Sequence, residues 1–171
     1  VLSVITLFCA LGTWQLVRLQ WKNNLIDQIG EGLKSLPVNY SNEIKVNYQR
    51  VAIEGKYNFG KQIYLYSLND KGQPGYDVIT PFEGLNLENV LVNRGWIRSN
   101  LKNNNIINRT KDNKIQGLIL KILKPNVFKP ENDVKANIWF SINLEQVKKV
   151  TGKNFSNYVL YLEDKKINIP K

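Results

Sequence analysis

The sequence contains no histidine and no methionine, and its single cysteine, Cys9, lies inside an apolar run. Without histidine there is no Cys/His zinc site, no Ser-His-Asp triad and no cysteine-histidine nucleophile pair. One cysteine also excludes an internal disulfide. Acidic residues are few, 14 Asp+Glu against 24 Lys+Arg, and none forms a DxD pair, so metal-carboxylate and two-carboxylate hydrolytic chemistry has no support. The composition therefore reads as a non-enzyme with no metal site. A length of 171 residues suits one sizeable core, and the missing methionine with the abrupt apolar start at Val1 reads as a piece of a longer chain.

The basic excess is uneven. Residues 1 to 100 carry 10 Lys+Arg against 8 Asp+Glu, a balance of +2, whereas 101 to 171 carry 14 against 6, a balance of +8. A basic half suits nucleic acid, an anionic membrane surface or an acidic partner. The same region is crowded with Asn and Ile ("LKNNNIINRTKDNKIQG"), so lysine-biased coding also accounts for the excess. Scattered basic residues with no recognition-helix or RNP-like pattern speak against nucleic acid.

From Val1 to Val17 no side chain is charged. Seventeen residues at the helical rise reach about 26 Å, close to a hydrocarbon core of about 30 Å. The stretch "LGTWQLVRLQWK" that ends it brings Trp14 and Trp21 to where an aromatic belt sits, with Gln15 between them. Arg18 and Lys22 are long enough to snorkel to phosphates. Residues 1–22 are thus expected to form a transmembrane helix and its membrane exit. Leu25, Ile26, Ile29 and Leu33 continue the helical spacing until Pro37, so 23–47 is expected to be a helical continuation and linker.

Residues 48–171 change character. Short runs rich in β-branched and aromatic residues, at 50–57, 62–67, 76–83, 89–97, 114–124, 137–142 and 157–163, are separated in several places by turn signals such as "NDKGQPG". The expected fold is mainly β: an antiparallel sheet or partly closed barrel with one short helix, "LEQVKKV", capped by Asn143 and stopped at Gly152. The Asn-rich stretch 100–113 reads as a long loop. In "GQPGYDVITPF" the spacing predicts a type II turn with Gly75 at the positive-φ position and Tyr76 opening a strand. In "VLVNRGWI" a buried-looking strand presents Asn93, Arg94, Gly95 and Trp96, and a glycine there marks a bulge or a close backbone approach. Arg94 pairing with a carboxylate while Trp96 covers the core is one reading. The other makes Arg94, Trp96 and Tyr76 a surface for a partner or an anionic group.

Taken in order, "LGTWQLVRLQWK", "YQRV", "GQPGYDVITPF", "VLVNRGWI", "FKPEN" and "IWFSINL" closely resemble the Surf1 (surfeit locus 1) family of cytochrome c oxidase assembly proteins. The resemblance runs from Leu11 to about Leu144. It implies a hairpin of two membrane helices enclosing a domain on the outer side of the bacterial or mitochondrial inner membrane, in the periplasm or intermembrane space. It also implies help with inserting haem a into oxidase subunit I, with that subunit, other assembly factors and membrane lipid as partners and no nucleic acid. A second helix with a haem-associated histidine is implied beyond Lys171. The matched positions are Trp14, Gln15, Arg18 and Trp21 at the membrane interface, then Arg50, Val51, Gly75, Tyr76, Asn93, Arg94, Gly95 and Trp96. Of these, Arg50, Tyr76, Asn93, Arg94 and Trp96 are candidates for a partner or haem surface. A tethered scaffold that holds oxidase subunits without touching haem is the alternative, and an OB-like single-strand binder is a third reading that the apolar segment opposes.

Overall fold

A computed structural model describes residues 1–41, 46–85, 88–102, 113–125 and 128–163. The chain divides into two compact units, Val1–Ser35 and Leu36–Lys171.

The first unit is one helix, α1 (Leu2–Lys34), with no buried residue. It is long and apolar enough to cross a membrane; its 33 residues extend about 50 Å. Two hydroxyls inside it bond back one turn: Thr6 Oγ1 donates to Leu2 O and Thr13 Oγ1 to Cys9 O. Pro37 lies three residues beyond the last helical residue, in line with its inability to continue a helix.

The second unit is built on seven strands: β1 (Val38–Asn39), β2 (Arg50–Tyr57), β3 (Ile63–Leu68), β4 (Pro74–Gly84), β5 (Asn89–Arg98), β6 (Lys114–Lys121) and β7 (Phe155–Leu162). Their order is β1-β2-β6-β7-β5-β4-β3, and β2 also pairs with β4. That extra pairing closes β2, β6, β7, β5 and β4 into a ring, leaving β3 and β1 outside it. The mainly β class is as expected. The sheet is mixed, because β5 pairs with β7 and β1 with β2 in parallel. β7 returns between β5 and β6 after the crossover that contains α2 (Leu144–Thr151).

Alternation sorts each strand's residues to two faces. The inner face packs Val51, Ile53, Phe82, Val90, Val92, Ile119 and Leu160, none more than 1% exposed. At about 1.5–3 kcal/mol per buried apolar side chain, this filled interior holds the ring closed. The outer face carries a second cluster, Ile63, Ile79, Leu91 and Val159, covered by Trp139 and by Val147 of α2. α2 begins and ends as its sequence suggests: Asn143 accepts from the backbone of Glu145 and Gln146, and Gly152 closes it in the left-handed conformation.

Two local expectations change. Segment 137–142 forms no strand, only the isolated bridges Leu65↔Trp139 beside β3 and Asp133↔Ile138, and it opens on Asn137 with a left-handed φ of 52°. The positive-φ glycine of the 69–73 turn is Gly72, where Asn69 Oδ1 accepts from the backbone of Lys71 and Gln73. Gly75 lies within β4 and is required for another reason: a Cβ there would strike Ile97 O and the Trp96 ring. Of the long loop expected over 100–113, residues 103–112 lie outside the described residues.

Candidate functional site

The bulge expected at Gly95 is present and decides what β5 shows to each face. Between the pairs Ile79↔Asn93 and Asp77↔Trp96, β5 advances one residue more than β4, and Gly95 takes a φ of 117° that suits only glycine. The Asn93 side chain shapes the bend, its Oδ1 accepting from Gly95 N–H at 2.9 Å. As a result Asn93 and Trp96 share the outer face, while Arg94 turns inward.

Arg94 is 4% exposed. Its Nη1 donates to Gln62 Oε1 at 3.3 Å, and its guanidinium lies 5.0 Å from the Phe59 ring centroid and 5.5 Å from that of Tyr57. Thr80 Oγ1 donates to the same Gln62 oxygen, Gln62 Nε2 donates to Tyr64 Oη, and Asn137 Nδ2 donates to Gln62 O. Asn137 Oδ1 in turn accepts from Trp139 Nε1. A charge taken out of water is tolerated where hydrogen bonds and ring faces replace hydration. Burial lowers the Arg94 pKa, yet arginine starts so high that the group remains a cation. Arg94 therefore ties β5 to the 59–62 turn and, through Gln62, to the 137–139 segment.

Tyr76 shares the inner-side face with Arg94 but stands beyond the barrel, where β3, β4 and β5 run on. Its ring meets Tyr64 and Tyr66 edge to face. Lys102 Nζ caps the Tyr64 and Tyr76 rings at 5.6 and 5.4 Å and donates to Ala136 O. Partial burial lowers the Lys102 pKa, and Asp133 opposes the shift.

On the outer face the pairings align Arg50, Leu118, Tyr161, Asn93, Ile79 and Ile63 in one row across six strands. Arg50 and Asn93 lie three strands apart, about 14 Å. Arg50 makes a two-pronged pair with Glu163, Nε to Oε1 at 2.6 Å and Nη2 to Oε2 at 2.7 Å, and that carboxylate raises its pKa. Tyr161 is 37% exposed, but desolvation around its hydroxyl raises its pKa, as does the Asp77 carboxylate, while a hydrogen bond from Asn93 opposes them. Trp96 lies across Gly75, its Nε1 donating to Ser67 O at 3.3 Å. The structure thus brings Arg50, Asn93 and Trp96 to the outer face and places Tyr76 and Arg94 on the other.

Beside Tyr161 the outer face opens into a groove of about 350 Å³, with Leu65, Leu120, Ile142 and Val159 along it and Lys121, Lys124 and Lys129 around it. Sequence reasoning passed over Tyr161 and these lysines as part of a general bias. The signal was present in "KILKPNVFK", three lysines with no acid among them. The groove suits an amphiphile that carries anionic groups on an apolar body. Residues 36–171 contain no histidine, methionine or cysteine to ligate a haem iron, which leaves the Tyr161 hydroxyl as the groove's candidate donor. The barrel interior is occupied by side chains. Among the described residues no three His, Cys, Asp or Glu gather where they could hold a metal ion.

In α1, Trp14 and Trp21 are exposed, and Arg18 folds back over the Trp14 ring at 5.5 Å; Gln15 is exposed as well.

A filled barrel whose polar node is sealed inside, together with a helix long and apolar enough to cross a bilayer, defines a class: a mainly β domain with a membrane-type N-terminal helix. The particular family follows from comparison. A model of the SURF1 family matches residues 2–170, and the chain belongs to that family. It is 33% identical to a SURF1-like protein of Rickettsia conorii over 98% of this chain and 72% of the relative. Surfeit locus protein 1 of Gallus gallus is 32% identical over 86% of this chain and 55% of its own length, and that of Takifugu rubripes 30% over 83% and 69%.

Proposed function

We propose that this chain assists the assembly of cytochrome c oxidase in the bacterial or mitochondrial inner membrane, with its β domain on the periplasmic or intermembrane-space side. The observation that carries the reading is the family match over residues 2–170, beginning in a helix long and apolar enough to span a bilayer. Assembly needs no bond-breaking centre in the factor. It needs a surface held near a membrane client, and tethering raises the effective concentration of that surface.

The finer reading is delivery of haem a to subunit I. The lysine-rimmed groove supports contact with carboxylate arms and an apolar plane, whereas a histidine ligand would have to come from elsewhere. A second reading, a scaffold that binds oxidase subunits and never touches haem, is favoured by the filled barrel and by the enclosure of Arg94. The first test is a reduced-minus-oxidised spectrum of membranes from cells with and without the gene. A selective fall in the haem a signal, restored by the full-length protein, supports assembly; an unchanged spectrum with normal oxidase activity overturns it. Pigment copurifying with the full-length protein separates delivery from scaffolding.

A further inference from the structure

Where β3, β4 and β5 run on beyond the ring, the face that carries Tyr76 is aromatic at its centre and open at its rim. The register sets Tyr66 opposite Tyr76 and Leu68 opposite Pro74, and strand alternation puts all four on one side. The rings continue to the 137–142 segment: Tyr66 meets Tyr76 at 6.3 Å and Phe140 at 5.7 Å between centroids. Tyr66 is 41% and Leu68 59% exposed, so large apolar groups reach water there. Lys102 stands over Tyr64 and Tyr76 and gives its hydrogen bond to a neutral carbonyl, Ala136 O. Among the described residues it makes no ion pair; Asp133 acts on it only through the field, and burial lowers its pKa. An ammonium held by ring faces and a carbonyl is a positive charge still short of a counter-ion.

We propose that Tyr66, Leu68, Tyr76 and Phe140, with Lys102 beside them, form the face that receives an oxidase subunit, an apolar side chain of the subunit resting on Tyr66 and Leu68 and a carboxylate meeting Lys102. The proposal rests on the assembly reading and adds to it the place of contact and the chemistry of the partner. Charge complementarity selects that partner: the cation at the centre of the face gains from an arriving carboxylate, and tyrosine rings around a desolvated charge are the composition of a protein interface. A bilayer suits the face less well. The chain enters the domain at Val38, opposite Val51 of β2. Tyr57 of β2 is opposite Phe82 of the antiparallel β4, and the path continues in the same direction from Phe82 to Tyr76. About 40 Å of strand therefore lies between the point of entry and the tyrosine face.

The photo-crosslinking residue p-benzoylphenylalanine is placed at position 66 of the full-length protein, in cells lacking the native gene, and as a control at position 148 on the exposed side of α2. Irradiation should join position 66, and not 148, to an oxidase subunit, read with antibodies to the subunits. Lys102→Gln removes the charge and should lower the adduct about tenfold, as the loss of one interfacial charge pair does, while Lys102→Arg keeps a cation on the rings and should retain it. An unaltered unfolding midpoint shows that the fold of Lys102→Gln is kept. Leu68→Asp alters only the exposed rim and opposes the incoming carboxylate, so it should lower the adduct as well, and it decides the matter if Lys102→Gln unfolds. The proposal is overturned if the adduct at 66 has the mass of a lipid or of a second copy of the chain, or if it survives both Lys102→Gln and Leu68→Asp at full strength. The reduced-minus-oxidised spectrum is read in the same cells. A haem a signal that does not depend on the gene sinks the assembly reading and the named partner with it, whereas a dependent signal without an adduct at 66 overturns this proposal alone.

Discussion

Replacing Arg94 separates its structural work from any direct part in assembly. The guanidinium is 4% exposed, donates to Gln62 and lies over two rings. A hydrogen bond to a charged group contributes about 1.5–3 kcal/mol, and each desolvated cation–π contact up to about 2 kcal/mol. Against these stands a desolvation cost of several kcal/mol for burying the charge. The two sides nearly cancel, so an apolar side chain of similar length should serve almost as well. Arg94→Met is expected to leave stability within about 1 kcal/mol of the parent, since Gln62 Oε1 keeps the Thr80 hydroxyl. Arg94→Ala removes the same charge and leaves a cavity, which costs about 3 kcal/mol and lowers the midpoint by about 10 °C in a domain of this size. Thermal unfolding of the full chain in detergent, followed by near-ultraviolet circular dichroism, reads both values. If Arg94→Met fell as far as Arg94→Ala, the cation would be a net stabiliser and the cancellation argued here would be wrong. If Arg94→Met kept its stability but abolished the haem a signal in cells, Arg94 would act on client or pigment directly.

Gly75→Ala should destabilise by about 1–3 kcal/mol, because the new methyl meets a backbone carbonyl that cannot move aside as well as the Trp96 ring; the same unfolding assay checks it. Thr80→Val keeps volume but removes the donor to Gln62 and should cost about 1 kcal/mol, with no cavity-binding of xenon. The pair Lys153 Nζ to Glu83 Oε2 at 2.6 Å links the loop after α2 to β4, and its lysine hydrogen bond is the main cause of a lowered Glu83 pKa. The folded pKa is below the ordinary 4.5, so this stability is present above 4.5 and is lost as pH falls through the folded value. Both groups are part-exposed, so Glu83→Gln should flatten the acid limb of a stability profile by no more than about 0.5 kcal/mol.

The strand positions were legible because β-branched and aromatic residues alternate with polar ones, and the limits of β2 and β5 differ from the expected runs by at most one residue. The arrangement of the strands was not. Nothing local in Phe155–Leu162 says that it runs parallel to β5 and closes a ring with β6, since pairing depends on contacts far apart in sequence. The two-residue β1 offers no period to read. The 137–142 run has strand composition, but its asparagine hydrogen-bonds Trp139 and Gln62 from a left-handed backbone, a tertiary arrangement that propensity does not encode. The most consequential case is Arg94 and Trp96. Simple alternation puts residues two apart on one face, and the extra residue at Gly95 reverses that, so the sequence could mark a bulge without saying which side chain it would bury.

That reversal moves the search for recognition to the outside of the domain. With the interior filled and Arg94 sealed against Phe59 and Tyr57, the described surfaces that can meet a large partner include those around Tyr161, the lysine groove, the aromatic patch under Lys102 and the groove beside α2. Such surfaces bind weakly when free. A contact of millimolar Kd corresponds to about 4 kcal/mol, and a short tether holds two partners at millimolar effective concentration, so the same contact is about half occupied once the domain is confined beside its client. A site of that strength also releases quickly, whereas a tight one would hold what it binds.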